Sequence, residues 1–153
     1  MKTTTGDLWR ASWPWGLLVG AILVIRLLLD ALVPVTYTAG VIHPRSSIMS
    51  YTLMAIFALS AGWQTWRSGL LRSGMLAALA IGAIGGALSM AGTVMFLALR
   101  HDPQIMRAIE MSGGLDEALW GVPLLLFPIG LVTGTVGALI GKCLPRPRLG
   151  APA

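Results

Sequence analysis

Four stretches of the chain are nearly free of charge and long enough to cross a bilayer, and short polar or proline-bearing segments separate them. A transmembrane helix needs roughly 20 consecutive apolar residues. The first stretch, 13–33, stops at Pro34, which has no backbone N–H to continue a helical ladder. The second, 48–66, is entered through Ser46 and Ser47, either of which can cap a helix. The third covers 74–99. The fourth covers 119–140, with Pro123 in its first turns and Pro128 further in. Between the third and fourth, Asp102-Pro103 reads as a helix start, Ile105, Met106 and Ile109 share one face, and Gly113-Gly114 supplies a stop. That pattern predicts a short amphipathic helix on the membrane surface.

The small residues have a period of their own. In the third stretch Ala78, Gly82, Gly85, Ser89 and Gly92 follow one another at steps of 4, 3, 4 and 3, and in the fourth Gly130, Gly134, Gly137 and Gly141 do so at 4, 3 and 4. Each set keeps to one helical face. In lipid the hydrophobic effect does not press helices together, so close backbone approach through small residues carries much of the packing. The simplest expectation is that helices three and four pack through these faces, or that one face meets a second copy.

Composition agrees with the pattern. Charged residues make up 11% of the chain, against about 25% in a soluble domain, and apolar residues make up 56%. The net charge of +5 does not mark a nucleic-acid binder, because the basic residues punctuate the apolar runs instead of clustering. They also orient the helices, since Lys and Arg concentrate on the cytoplasmic side. Lys2, Arg10, Arg67, Arg72, Lys142, Arg146 and Arg148 fall on one side, seven in all; Arg45, Arg100 and Arg107 fall on the other. The bias predicts tails 1–12 and 143–153 in the cytoplasm. Trp9, Trp13, Trp15, Trp63 and Trp66 then lie at the inner interface, and Tyr37, Tyr51 and Trp120 at the outer one. The predicted fold class is all-α: a polytopic protein of the plasma (inner) membrane, one domain of four transmembrane helices in an up-down bundle.

One pair stands out chemically. Arg26 and Asp30 lie inside the first apolar run, four residues apart and so on one helical face. Counted from Trp13, Arg26 sits roughly 20 Å into a hydrocarbon core about 30 Å thick, where an uncompensated charge costs about 2.5–3.5 kcal/mol. Tyr51 and Thr52 on the second helix, and Ser89 and Thr93 on the third, fall at similar depth. If these faces converge, they form an intramembrane polar site. Three readings stay open: an internal ion pair that fixes helix rotation, a ligand or ion site, and a contact with an acidic residue of another subunit.

Other chemistry has little to stand on. The single Cys143 excludes an intrachain disulfide and a multi-cysteine metal site. His43 and His101 flank helices, whereas haem ligands in membranes sit within them. No HExxH, GxSxG or phosphate-binding loop occurs. The sequence therefore points to a non-enzymatic membrane protein without a cofactor, in contact with lipid and with copies of itself or other membrane subunits. An accessory or assembly subunit is the first expectation, and a small homo-oligomeric transporter or channel built on Arg26 and Asp30 is the second.

Overall fold

A computed structural model of the chain describes residues 5–33, 44–99 and 117–145. The described residues are helical throughout apart from short connections: α1, Thr5–Leu32; α2, Pro44–Ser68; α3, Leu71–Leu99; a π-helical turn, Glu117–Gly121; and α4, Val122–Cys143. Each of the four long helices has the length and apolarity to cross a membrane. The surface helix expected around 102–114 lies outside the described residues, as do His43 and His101 and the side chains of Asp30 and Arg45.

Two helix ends extend past the apolar runs for simple reasons. α1 begins at Thr5, well before the uncharged run, and carries Asp7 in its first turn, where the free N–H groups favour an acid. Trp9 and Trp13, one turn apart, have ring centroids 6.3 Å from one another in this added segment. Pro14 therefore sits inside a helix and leaves the Arg10 carbonyl without its ladder donor. α2 continues to Ser68 and ends on Gly69, whose φ of 76° and N–H bond to the Thr65 carbonyl (2.7 Å) form a left-handed cap. Only Leu70 separates that cap from α3, so the end of α2 and the start of α3 are held side by side.

α3 is the central helix. It packs extensively along α1 and α4 and less so along α2; α2 packs extensively along α4, and α1 touches α2 only slightly. The core runs through Val19 and Leu23 of α1, Leu53, Ile56, Phe57 and Ala61 of α2, Ala78 and Ile81 of α3, and Leu126 and Ala138 of α4. Outward faces are also apolar, with Leu32, Ile48, Leu59, Val132 and Ile140 among the exposed side chains.

The glycine faces divide between two interfaces. On α3, a Cβ at Gly85 would meet Val19, and one at Gly92 would meet Val24, both on α1. The contacts are reciprocal, since Gly16 and Gly20 of α1 receive Ile84 and Leu88. On α4, Gly130 faces the Phe57 ring, Gly137 faces the backbone of Ala58, and Gly141 faces the backbone of Gly62, all on α2. The α3 and α4 faces meet each other only in part, where Gly134 lies against Ala78 and Gly82 against Leu126. So the α3 set serves mainly α1 and the α4 set mainly α2. A period along one helix defines a face, and which neighbour fills it depends on how all four helices are arranged.

Candidate functional site

The six polar residues singled out from the sequence do not form one cluster of described side chains. Arg26 is half-buried on α1, and the side chain of Asp30 lies outside the described residues. Tyr51 is 70% exposed. Thr52 is also exposed, and its hydroxyl donates to the Ile48 carbonyl one turn back (2.8 Å). Ser89 and Thr93 are buried on α3, where the Thr93 hydroxyl donates to the Ser89 carbonyl (2.9 Å). The interior stripe of α2 explains the separation. Leu53, Ile56, Phe57, Ser60, Ala61, Gln64 and Thr65 turn inward, which leaves positions 51 and 52 outside it.

A different group of polar side chains does converge, toward the opposite ends of the same helices. Ser12, Ser60, Gln64, Thr65 and Ser73 are all buried where the start of α1, the end of α2 and the start of α3 meet. Most spend their hydrogens locally, as hydroxyls in helices commonly do. Ser12 donates to the Leu8 carbonyl (2.8 Å), Ser60 to Phe57 (3.0 Å) and Ser73 to Leu70 (2.7 Å). The Ser68 and Ser73 hydroxyls meet across the α2–α3 turn; with the Ser73 hydrogen on Leu70, the single Ser68 hydrogen goes either to Ser73 or to the Gln64 carbonyl (2.8 Å). Thr65 is the exception: its Oγ1 is fully buried, lies over Gly74, and has no hydrogen-bond partner among the described residues.

Within this group lies a cavity of about 130 Å³, lined by Ser12 and Trp15 of α1 and by Ser60, Trp63, Gln64 and Arg67 of α2, with α3 closing one side. A separate open groove of about 480 Å³ runs between α2 and α4 and is almost wholly apolar, bordered by Leu59, Trp63, Trp66, Ile140 and Leu144 over a floor of glycines. Trp63 belongs to both. Its ring lies 5.2 Å from that of Trp66, whose indole N–H donates to the Pro145 carbonyl (3.1 Å).

This polar end escaped the sequence reading because charge inside an apolar run is the louder signal, and it pointed to Arg26 and Asp30. A quieter one was present. Ser60, Gln64 and Arg67 follow one another at steps of 4 and 3, which places an uncharged amide and a guanidinium on one face of α2. Among the described residues, no group of three or more His, Cys, Asp or Glu side chains comes together. Comparison with family models, with curated proteins and with solved structures found no match.

Proposed function

We propose that the chain is a multi-pass protein of the plasma (inner) membrane, an up-down bundle with both ends cytoplasmic, and that it serves as a non-enzymatic accessory or assembly subunit of a larger membrane complex. The order of contacts supports the alternation. Gly16, Gly20 and Val24 of α1 meet Ile84, Leu88 and Gly92 of α3 in ascending order, whereas Ala78, Gly82 and Gly86 of α3 meet Gly134, Leu126 and Pro123 of α4 in descending order. The Lys and Arg bias supports the orientation.

The observation that carries the subunit reading is the filled interior. Val19, Phe57 and Ile81 are fully buried through the middle of the bundle, so the described helices pack apolar side chains where a transport path within one protomer would need polar ones. What such a bundle offers to other molecules is its outer surface, which is largely apolar and suited to neighbouring membrane helices. Blue-native electrophoresis of membranes dissolved in mild detergent tests this. The protein should migrate with a complex much heavier than 16.1 kDa plus its detergent, and a solitary monomer would overturn the reading.

One observation favours the second reading, a homo-oligomeric transporter. Arg26 is half-buried and so does not simply face lipid. On that reading Arg26→Ala abolishes flux and leaves expression intact, whereas a subunit role leads instead to loss of the heavy complex.

A further inference from the structure

Gln64 is 7% exposed and lines the cavity at the α1–α2–α3 end. Among the described residues no hydrogen bond reaches its side-chain amide; only its backbone carbonyl is used, by Ser68. The residue faces that cavity, where water or a ligand can complete the hydrogen bonds of the amide. The cavity beside it, about 130 Å³, has room for several water molecules. It is thus large enough for a small polar group and too small for a folded partner.

The lining specifies the charge of that group. Arg67 is exposed and contributes a guanidinium, and among the described residues no carboxylate lines the cavity. Gln64 can donate two N–H bonds and accept through its oxygen. Ser12 and Ser60 have committed their hydrogens to backbone carbonyls, which leaves lone pairs for a hydroxyl donor. An oxyanion that also carries hydroxyl groups satisfies all of these.

We propose that this cavity binds the phosphate of an anionic, hydroxyl-bearing phospholipid headgroup. The inference rests on the membrane reading above. Two observations favour lipid over a free anion. Gln64 lies one turn, roughly 6 Å, inside the Ser68 end of a candidate span, at the depth where headgroup phosphate meets hydrocarbon. The apolar groove between α2 and α4 shares Trp63 with the cavity, so a phosphate held by Arg67 places an acyl chain against that groove. The indole then separates the polar and apolar parts of one ligand, as aromatic side chains at membrane interfaces do.

The test is native mass spectrometry of the purified full chain in neutral detergent, titrated separately with phosphatidylglycerol, phosphatidylcholine and inorganic phosphate. Wild type should hold phosphatidylglycerol about tenfold more tightly than phosphatidylcholine. Arg67→Gln and Gln64→Glu should each weaken that binding about fivefold or more, the first by removing a cation and the second by adding a buried negative charge of nearly the same shape. Arg72→Gln and Lys142→Gln remove exposed cations outside the cavity and should stay close to wild type. Circular dichroism of each variant confirms that helix content is kept. Equal losses in the Arg72 and Lys142 variants would mean diffuse surface attraction and overturn the proposal. So would inorganic phosphate displacing the lipid at equal concentration, or unchanged binding by a folded Gln64→Glu. Alkaline carbonate extraction separates the two levels: release of the protein sinks the membrane reading, whereas a carbonate-resistant protein indifferent to phosphatidylglycerol sinks this inference alone.

Discussion

Replacing one glycine by alanine should have opposite consequences at two positions of this bundle. A Cβ on Gly137 would sit 2.6 Å from both the carbonyl carbon and the Cα of Ala58, with the carbonyl oxygen closer still. Ordinary contact begins near 3.4 Å, so the α2 backbone must retreat by at least about 0.8 Å to clear those two carbons, from 2.6 to 3.4, and by more to clear the oxygen. Backbone cannot rotate aside as a side chain can, and a gap of that size forfeits about a quarter to a half of the dispersion well at neighbouring contacts. Ala61, Gly62 and Ala138, packed in or beside the same interface, would feel it. Overpacking of this kind costs about 1–3 kcal/mol. A Cβ on Gly82, by contrast, finds its nearest neighbours at 3.5, 3.7 and 3.9 Å on Leu126. Both substitutions gain the same helix propensity, at most about 1 kcal/mol. Gly82→Ala should therefore be neutral or stabilising, and Gly137→Ala less stable than Gly82→Ala by about 1–3 kcal/mol. Equilibrium unfolding in mixed micelles, followed by circular dichroism, measures the difference. Equal stability of the two variants would refute the argument that α2 and α4 meet backbone to backbone.

Three further outcomes are expected. Thr65→Val removes the fully buried hydroxyl that lacks a partner and keeps the shape, so it should leave stability unchanged or raise it by about 1–3 kcal/mol in the same assay; a clear loss would mean that Oγ1 is bonded in solution. Cys143, exposed at the end of α4, should resist a membrane-impermeant maleimide in intact cells and react once the cells are opened, and in a Cys143→Ser background Ser112→Cys should already react in intact cells. Asp30→Leu should destabilise the protein more than Arg26→Leu combined with Asp30→Leu, because stranding one buried charge costs about 3–5 kcal/mol whereas replacing both is often neutral; a double variant less stable than the single would show that Arg26 relies on another partner.

The four long helices were legible because each is a property of about 20 neighbouring residues, and composition over such a window is unambiguous. The start of α1 was less so. Asp7 and Arg10 fall outside the apolar run yet inside the helix, because hydropathy reports where apolar side chains begin and helical hydrogen bonding continues past them. The glycine faces were visible as periods, but Gly85 found Val19 and Gly141 found Gly62, choices that depend on the positions of all four helices at once. The polar end was missed for a similar reason. Gln64 becomes unusual only when Ser12 and Trp15 of α1 close over it, and nothing within α2 alone announces that. Tyr51 and Thr52 are both exposed, since a similar height along a bundle places residues in one layer without turning them toward each other.

The way the glycine contacts skip a helix bears on how the chain assembles during synthesis. α1 and α2 emerge first, yet they barely touch; the surface that α1 needs is on α3, and the surface that α2 needs most is on α4. Among the described residues, the first half therefore has little to pack against until the second half follows it. For a membrane protein, helix insertion and helix association would then be separate events in time, the second deferred until the ribosome has nearly finished. The two strongest junctions lie between the halves, not within them. A gene divided into two pieces, one encoding α1 and α2 and the other α3 and α4, should therefore yield fragments that are each short-lived alone and that rescue one another when expressed in the same cell.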